Sequence, residues 1–216
     1  MTRGAVVAAF LVLAAAAHAT WENVYATWAP TIVRVDVIKY VKGKPKHTGH
    51  GSGVIVSKSG QIATAYHVVD AGDQFIVHTF DGRAYGVYVS TVDTKNDLAI
   101  LVPTLARKEP LWARLRESTV VGEPVCSIGY PLVFHCVLGI GVVSGYYKDT
   151  VVTTVNMSPG SSGGPAFDAA GRVVGLTTAM FCFDSEAMVP TGYGMLQRSR
   201  NIKLLLNKGH NAWKIW

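Results

Sequence analysis

Two serines, Ser161 and Ser162, lie in the run Met157-Ser158-Pro159-Gly160-Ser161-Ser162-Gly163-Gly164-Pro165, among three glycines and with strand-like sequence on both sides. Glycine allows backbone conformations that a β-carbon forbids, so such a run makes a sharp turn whose N–H groups can converge. A hydroxyl at the tip of that turn, beside converging donors, is what acyl-transfer chemistry requires. Alone, the run reads equally well as a Gly/Ser surface loop. A serine nucleophile also needs a base, and the base needs an orienting carboxylate. His67 follows an apolar strand in Ala63-Thr64-Ala65-Tyr66-His67-Val68-Val69, and Asp97 opens the buried-strand pattern Asp97-Leu98-Ala99-Ile100-Leu101. Taken singly, His67 is a core histidine and Asp97 a turn cap beside Lys95-Asn96. Together they precede the serines in the order His, Asp, Ser, which among the familiar triads belongs to double β-barrel enzymes.

The elements that must position these groups are short strands. Within 216 residues, 49% of them hydrophobic and 16% charged, the expectation is one compact domain or two fused halves. Strand patterns run over residues 32–40, 53–56, 62–65, 75–79, 85–91 and 98–102, punctuated by Gly60, Gly72, Gly82 and Lys95-Asn96. Lys42 to Gly49 reads as a polar loop, and Pro103 to Glu123 as a crossing between halves. The second half repeats the texture at 125–128, 137–147, 151–156, 166–167, 173–178 and 193–196. Glu22 to Ala29 reads as a short helix stopped by Pro30. Ser199 to Leu206 reads as a second helix, with Ile202, Leu205 and Leu206 on one face and Gly209 as its stop. Such spacing indicates antiparallel barrels or a sandwich.

The first nineteen residues differ from the rest. Arg3 is their only charge, Ala5 to Ala17 is apolar, and Ala17-His18-Ala19 has a small-x-small cleavage pattern. This is the form of a secretory signal peptide cut before Thr20. The apolar run is short of the about 20 residues a membrane span needs, and an uncleaved N-terminal membrane anchor is the alternative. The expected compartment is therefore extracellular or periplasmic. The formal charge of +6 becomes +5 once Arg3 is removed, and Lys42, Lys44, Lys46, Arg198, Arg200 and Lys203 read as solvated faces. No nucleic-acid partner is expected. Of three cysteines none has metal-ligand spacing, and His47 and His50 fall in the Lys/Gly/Pro-rich loop, so neither metal nor organic cofactor is expected.

Four blocks in order carry a resemblance: Gly51-Ser52-Gly53-Val54-Ile55-Val56, Thr64-Ala65-Tyr66-His67-Val68-Val69, Asp97-Leu98-Ala99-Ile100-Leu101 and Pro159-Gly160-Ser161-Ser162-Gly163-Gly164. With Ile128-Gly129-Tyr130-Pro131, Gly171 to Leu176 and Gly192 to Met195, the stretch from Thr31 to Asn207 resembles the trypsin-like serine endopeptidases, most nearly the HtrA/DegP type. The resemblance implies an all-β fold of two six-stranded antiparallel β-barrels with a short C-terminal helix. It places the first barrel at about 31–102, the second at about 124–196, the helix at about 197–207 and a tail at 208–216. It implies Ser162 as nucleophile over its rival Ser161, His67 as base and Asp97 as its orienter. The N–H groups of Gly160 and Ser162 would be the oxyanion donors, one such donor being worth on the order of 3–4 kcal/mol.

The same resemblance puts Asn156, six residues before the nucleophile, near the base of the primary specificity pocket. Asn156 is uncharged, so the expected preference is for small or medium apolar residues before the cleaved bond, with Tyr193 and Met195 lining the pocket. Thr178, Ala179 and Met180 would pair with substrate backbone. Family loops near the active site suggest a Cys136–Cys182 disulfide, with Cys126 a buried thiol. Only nine residues follow Asn207, so no PDZ domain is expected. The expected substrate is a peptide or unfolded protein, with membrane contact only through a retained N-terminal segment. A catalytically silent scaffold and an esterase are the competing classes on the same fold.

Overall fold

The computed structural model describes residues 20–184 and 189–212. The signal peptide expected at 1–19 lies outside these residues. Among the described residues, no helix is long and apolar enough to cross a membrane.

Helix α1 (Trp21–Trp28) opens with Thr20, whose side chain accepts from Asn23 N–H, and passes through a 3₁₀ turn (Ala29–Thr31) into the first barrel. That barrel comprises β1 (Ile32–Val41), β2 (Lys44–Ile55), β3 (Ile62–Ala65), β4 (Gln74–Thr79), β5 (Ala84–Asp93) and β6 (Leu98–Pro103). It closes in the order β1-β2-β3-β6-β5-β4, every pairing antiparallel. Alternation along β1 puts Val33, Val35 and Val37 inside, with Ile62, Phe75, Val77 and Leu101.

The second sheet runs β11-β8-β9-β10-β13-β12-β7, and an added β11–β12 pairing closes six of its strands into the second barrel. Its strands are β7 (Arg114–Leu115), β8 (Pro124–Gly129), β9 (Val137–Tyr147), β10 (Thr150–Thr153), β11 (Pro165–Asp168), β12 (Arg172–Asp184) and β13 (Val189–Arg198). Val125, Val143, Val151, Ala166 and Leu196 fill it. A third apolar cluster joins both sheets to α1 and to the C-terminal helix, through Val24, Ile100, Ile128, Phe167, Leu176, Ile202 and Leu205. The result is the expected pair of six-stranded antiparallel barrels with a C-terminal helix.

Three local expectations need correction. Residues 44–49 are strand rather than loop. Lys42 (φ 50°) and Gly43 (φ 75°) make a two-residue hairpin turn, and β2 pairs with β1 from Val41↔Lys44 onward. Helix α3 (Ser199–Ala212) runs through Gly209 instead of stopping there. Strands β12 and β13 are longer than their apolar cores, because beyond those cores they continue to pair with each other as far as Asp184↔Val189.

Candidate active site

His67 sits in a single helical turn, α2 (Tyr66–Val69), that follows β3 directly. Asp97 ends the β5–β6 connection in the left-handed region, φ 51°, and three contacts tie it to that turn. Tyr66 N–H donates to Asp97 O at 3.1 Å. His67 N–H donates to Asp97 Oδ1 at 2.9 Å, and His67 Nδ1 lies 2.8 Å from Asp97 Oδ2. A carboxylate beside Nδ1 accepts a hydrogen bond from the Nδ1–H and leaves Nε2 as the ring's acceptor. From β12, the Thr178 hydroxyl donates to the same Oδ2. The hydrogen bond to Asp97 raises the His67 pKa above its usual 6.5, against the opposing pull of burial. Burial pushes the Asp97 carboxyl up, but hydrogen bonds from His67 and Thr178 outweigh it and hold the pKa below 3.8.

The serine turn is tightly knit, and its unpaired groups are informative. Ser161 is spent within the turn: its hydroxyl donates to Ser158 O at 2.7 Å and accepts Ser158 N–H at 3.1 Å. Ser161 N–H goes to Ser158 O, Gly163 N–H to Thr177 O and Gly164 N–H to Ser161 O. Among the described residues, the N–H groups of Gly160 and Ser162 have no acceptor, and the Ser162 hydroxyl has no hydrogen bond. Gly160 adopts φ 93°, and an added Cβ would lie 2.6 Å from both His50 Nε2 and Tyr130 O, so only glycine fits.

The turn packs against the segment that carries His67. Ser52 N–H donates to Ser162 O at 2.8 Å. A Cβ on Gly163 would overlap Ser52 O and Thr64 Oγ1, and one on Gly51 would meet the Val68 methyls at 2.6 Å and Ser162 O at 3.0 Å. Half-buried Ser162 therefore adjoins the end of β3 and the α2 turn, where His67 and Asp97 meet.

Beside Ser162 opens a cleft of about 430 Å³, whose wall includes Met157, Thr178, Ala179, Met180, Phe181 and Cys182. Three of the expected substrate-binding residues, Thr178, Ala179 and Met180, line it. Asn156, Tyr193 and Met195 do not. Asn156 is exposed and borders a separate cavity of about 100 Å³ with Ser127 and Gly139. Strand β10 ends at Thr153, and after it Met157 turns inward, 8% exposed. Met157 packs on Gly194, where an added Cβ would lie 2.6 Å from its sulfur, while Tyr193 beside it is 49% exposed.

The expected Cys136–Cys182 disulfide is absent, and all three cysteines are free. Cys136 is buried beside Tyr25, whose hydroxyl donates to its carbonyl at 2.7 Å, and Tyr130. Cys182 instead pairs across the β12–β13 hairpin with Pro190. Burial pushes the Cys126 thiol up to about 12 and the Cys136 thiol up to about 11.

Residues 51–176, more than half of the chain, match the family described as trypsin-like peptidase domain. The chain belongs to the trypsin-like peptidase family. Within that family it is 31% identical over 153 residues to a probable periplasmic serine endoprotease, DegP-like, of Brucella suis, covering 65% of this chain and 30% of the relative. It is 35% identical over 141 residues to a protein of the same description from Pseudomonas savastanoi, covering 61% of this chain and 29% of that one. The chain thus spans under a third of the length of these two relatives. A crystal structure of the serine endoprotease from Yersinia pestis superposes with a TM-score of 0.77 at 24% identity, covering 88% of this chain and 66% of that one, which establishes the shared fold.

Sequence reasoning overlooked several residues of this trypsin-like site. The resemblance gives Thr178 only substrate backbone to pair with, whereas its hydroxyl reaches Asp97. Met157 and Phe181 also line the cleft; in sequence the only cue is position, Met157 beside the serine turn and Phe181 directly after Met180. Ser52 falls within Gly51 to Val56, where its residue type signals no role.

Proposed function

We propose that this chain is an exported serine endopeptidase in which Ser162 is the nucleophile, His67 the general base and Asp97 its orienter. The observation that carries this reading is the pairing of His67 with Asp97 beside a turn whose two unpaired N–H groups flank Ser161. In the reaction Ser162 Oγ attacks the scissile carbonyl as His67 Nε2 takes its proton. The oxyanion that develops is met by Gly160 and Ser162 N–H. His67 then returns the proton to the departing amine, leaving an acyl-enzyme on Ser162. Water, activated by the same imidazole, releases the acid. The Asp97 carboxylate holds the tautomer and stabilises the transient imidazolium.

The apolar wall of Met157, Met180 and Phe181, with no charged residue among the described residues that line the cleft beside Ser162, supports cleavage after small or medium apolar side chains. Flanking Thr178 and Ala179 suit an extended peptide added along β12. The apolar leader and the periplasmic relatives support export to the periplasm, with peptides or unfolded proteins as substrates. Comparing unmodified protein with Ser162→Ala on a denatured protein substrate tests the reading: cleavage by the first and none by the second is expected. Equal cleavage by both refutes it. A cleavage profile dominated by Arg or Lys refutes the apolar preference separately.

A further inference from the structure

The four carbonyls of residues 159–162 are each held by a group outside their own peptide. Pro159 O accepts Leu132 N–H at 2.7 Å, and Ser161 O accepts Gly164 N–H at 2.9 Å together with the Thr177 hydroxyl. The other two belong to one residue. Ser52 N–H donates to Ser162 O at 2.8 Å, and the Ser52 hydroxyl donates to Gly160 O at 2.8 Å. The same hydroxyl accepts Tyr130 N–H at 2.9 Å. Ser52 is fully buried, comes from β2 of the first barrel, and grips a turn that belongs to the second. Among the described residues it has no hydrogen bond to His67 or Asp97.

We propose that Ser52 is a positioning residue that aims the oxyanion donors of the serine turn, an inference that rests on the peptidase reading above. A planar trans peptide points its N–H opposite to its carbonyl, so the two donor peptides are held at Pro159 O and Ser161 O by Leu132, Gly164 and Thr177. Ser52 holds the peptide between them, 160–161, and the next one, 162–163, and thereby sets the two donor planes relative to each other. Gly160 has no side chain to restrain it, and its conformation at φ 93° is set by the peptide planes on either side. Leu132 anchors the plane before Gly160, and the Ser52 hydroxyl anchors the plane after it. Without that hydroxyl the second plane is released, and Tyr130 N–H loses its acceptor at the same time. The geometry that meets a tetrahedral oxyanion loosens, while the wall that receives the substrate side chain, at Met157, Met180 and Phe181, is untouched.

Ser52→Ala in the mature chain tests this, assayed well below its measured unfolding temperature. The expected result is a fall in kcat of about 10- to 100-fold with KM within about threefold, because small misplacements cost rate at this scale. Affinity for a peptidyl aldehyde, which forms the tetrahedral adduct, should fall by a similar factor, and the pH midpoint of kcat/KM should stay in place. Unchanged kcat and aldehyde affinity, or a loss confined to KM, overturns the proposal. Amide hydrogen exchange reads the clamp without turnover: Ser161 and Gly163 should exchange about tenfold or more faster in Ser52→Ala, and unchanged exchange overturns the proposal. If unmodified protein neither cleaves peptides nor binds the aldehyde, the peptidase reading fails, and the exchange rates alone decide whether Ser52 holds the turn.

Discussion

Thr178 and His67 converge on one oxygen of Asp97: the Thr178 hydroxyl donates to Oδ2, and His67 Nδ1 lies 2.8 Å from it. The carboxylate is thus shared between the second barrel, through β12, and the first. Thr178→Val keeps the shape and removes the donor. Losing one hydrogen bond worth about 1 kcal/mol should lower kcat roughly fivefold with little effect on KM. Asp97→Asn should cost far more, about 10⁴-fold in kcat, because an amide leaves the imidazole in the wrong tautomer. Steady-state kinetics on one peptide substrate checks both.

The pH dependence has a definite sign. Protonated His67 has no lone pair for the Ser162 proton, so kcat/KM should rise with pH, with a midpoint above 6.5 because Asp97 raises the His67 pKa. The linkage to stability runs the other way for this residue. A raised histidine pKa stabilises the fold fully below the unfolded value and is lost as pH rises through the folded one. Asp97, held below 3.8, contributes above its unfolded value and loses that contribution as pH falls. With side-chain exposures of 44% and 27% both stability effects are small, so the activity profile is the measurement to make.

Two glycines separate backbone strain from lack of space. Gly82 has φ 83° and open surroundings, so Gly82→Ala should cost about 1–2 kcal/mol, the left-handed penalty alone. Gly163 has the same φ, but a Cβ there would overlap Ser52 O and Thr64 Oγ1. Gly163→Ala should therefore lose more stability than Gly82→Ala and displace the serine turn with it. Denaturant melts of the two variants, read beside peptidase activity, check this contrast.

Thiol accessibility follows burial. Cys182 should alkylate in the folded protein, whereas Cys126 and Cys136 should react only on unfolding, their thiols being buried and raised to about 12 and about 11. Mass spectrometry should count one adduct when folded and three when denatured, without reductant in either case.

Much of this was legible from residue types and order. Alternating β-branched runs such as Val33, Val35 and Val37 carry a burial pattern of period two, so the barrels could be read from local sequence. Lys44 to Gly49 could not, because a hairpin arm exposed on both faces from Lys44 to Thr48 buries nothing and carries no apolar signal, and its local cue is the Lys42-Gly43 turn. Asn156 and Met157 differ by one position, and which one faces the cleft depends on how the chain leaves β10, a path that residue types do not encode. Cys136 and Cys182 were paired by analogy, and the burial of Cys136 beside Tyr25 and Tyr130 depends on α1, which lies over a hundred residues earlier in the chain. Ser52 was invisible as a working residue because its partners, Gly160 O and Ser162 O, are backbone atoms.

The most direct measurement is labelling of the folded, leader-free protein with a fluorophosphonate, followed by peptide mapping. A single adduct on Ser162, absent from Ser162→Ala and slowed in Asp97→Asn, is the predicted result. An adduct on Ser161, or no adduct on folded protein under conditions that label trypsin, would contradict the assignment of Ser162 as an activated nucleophile.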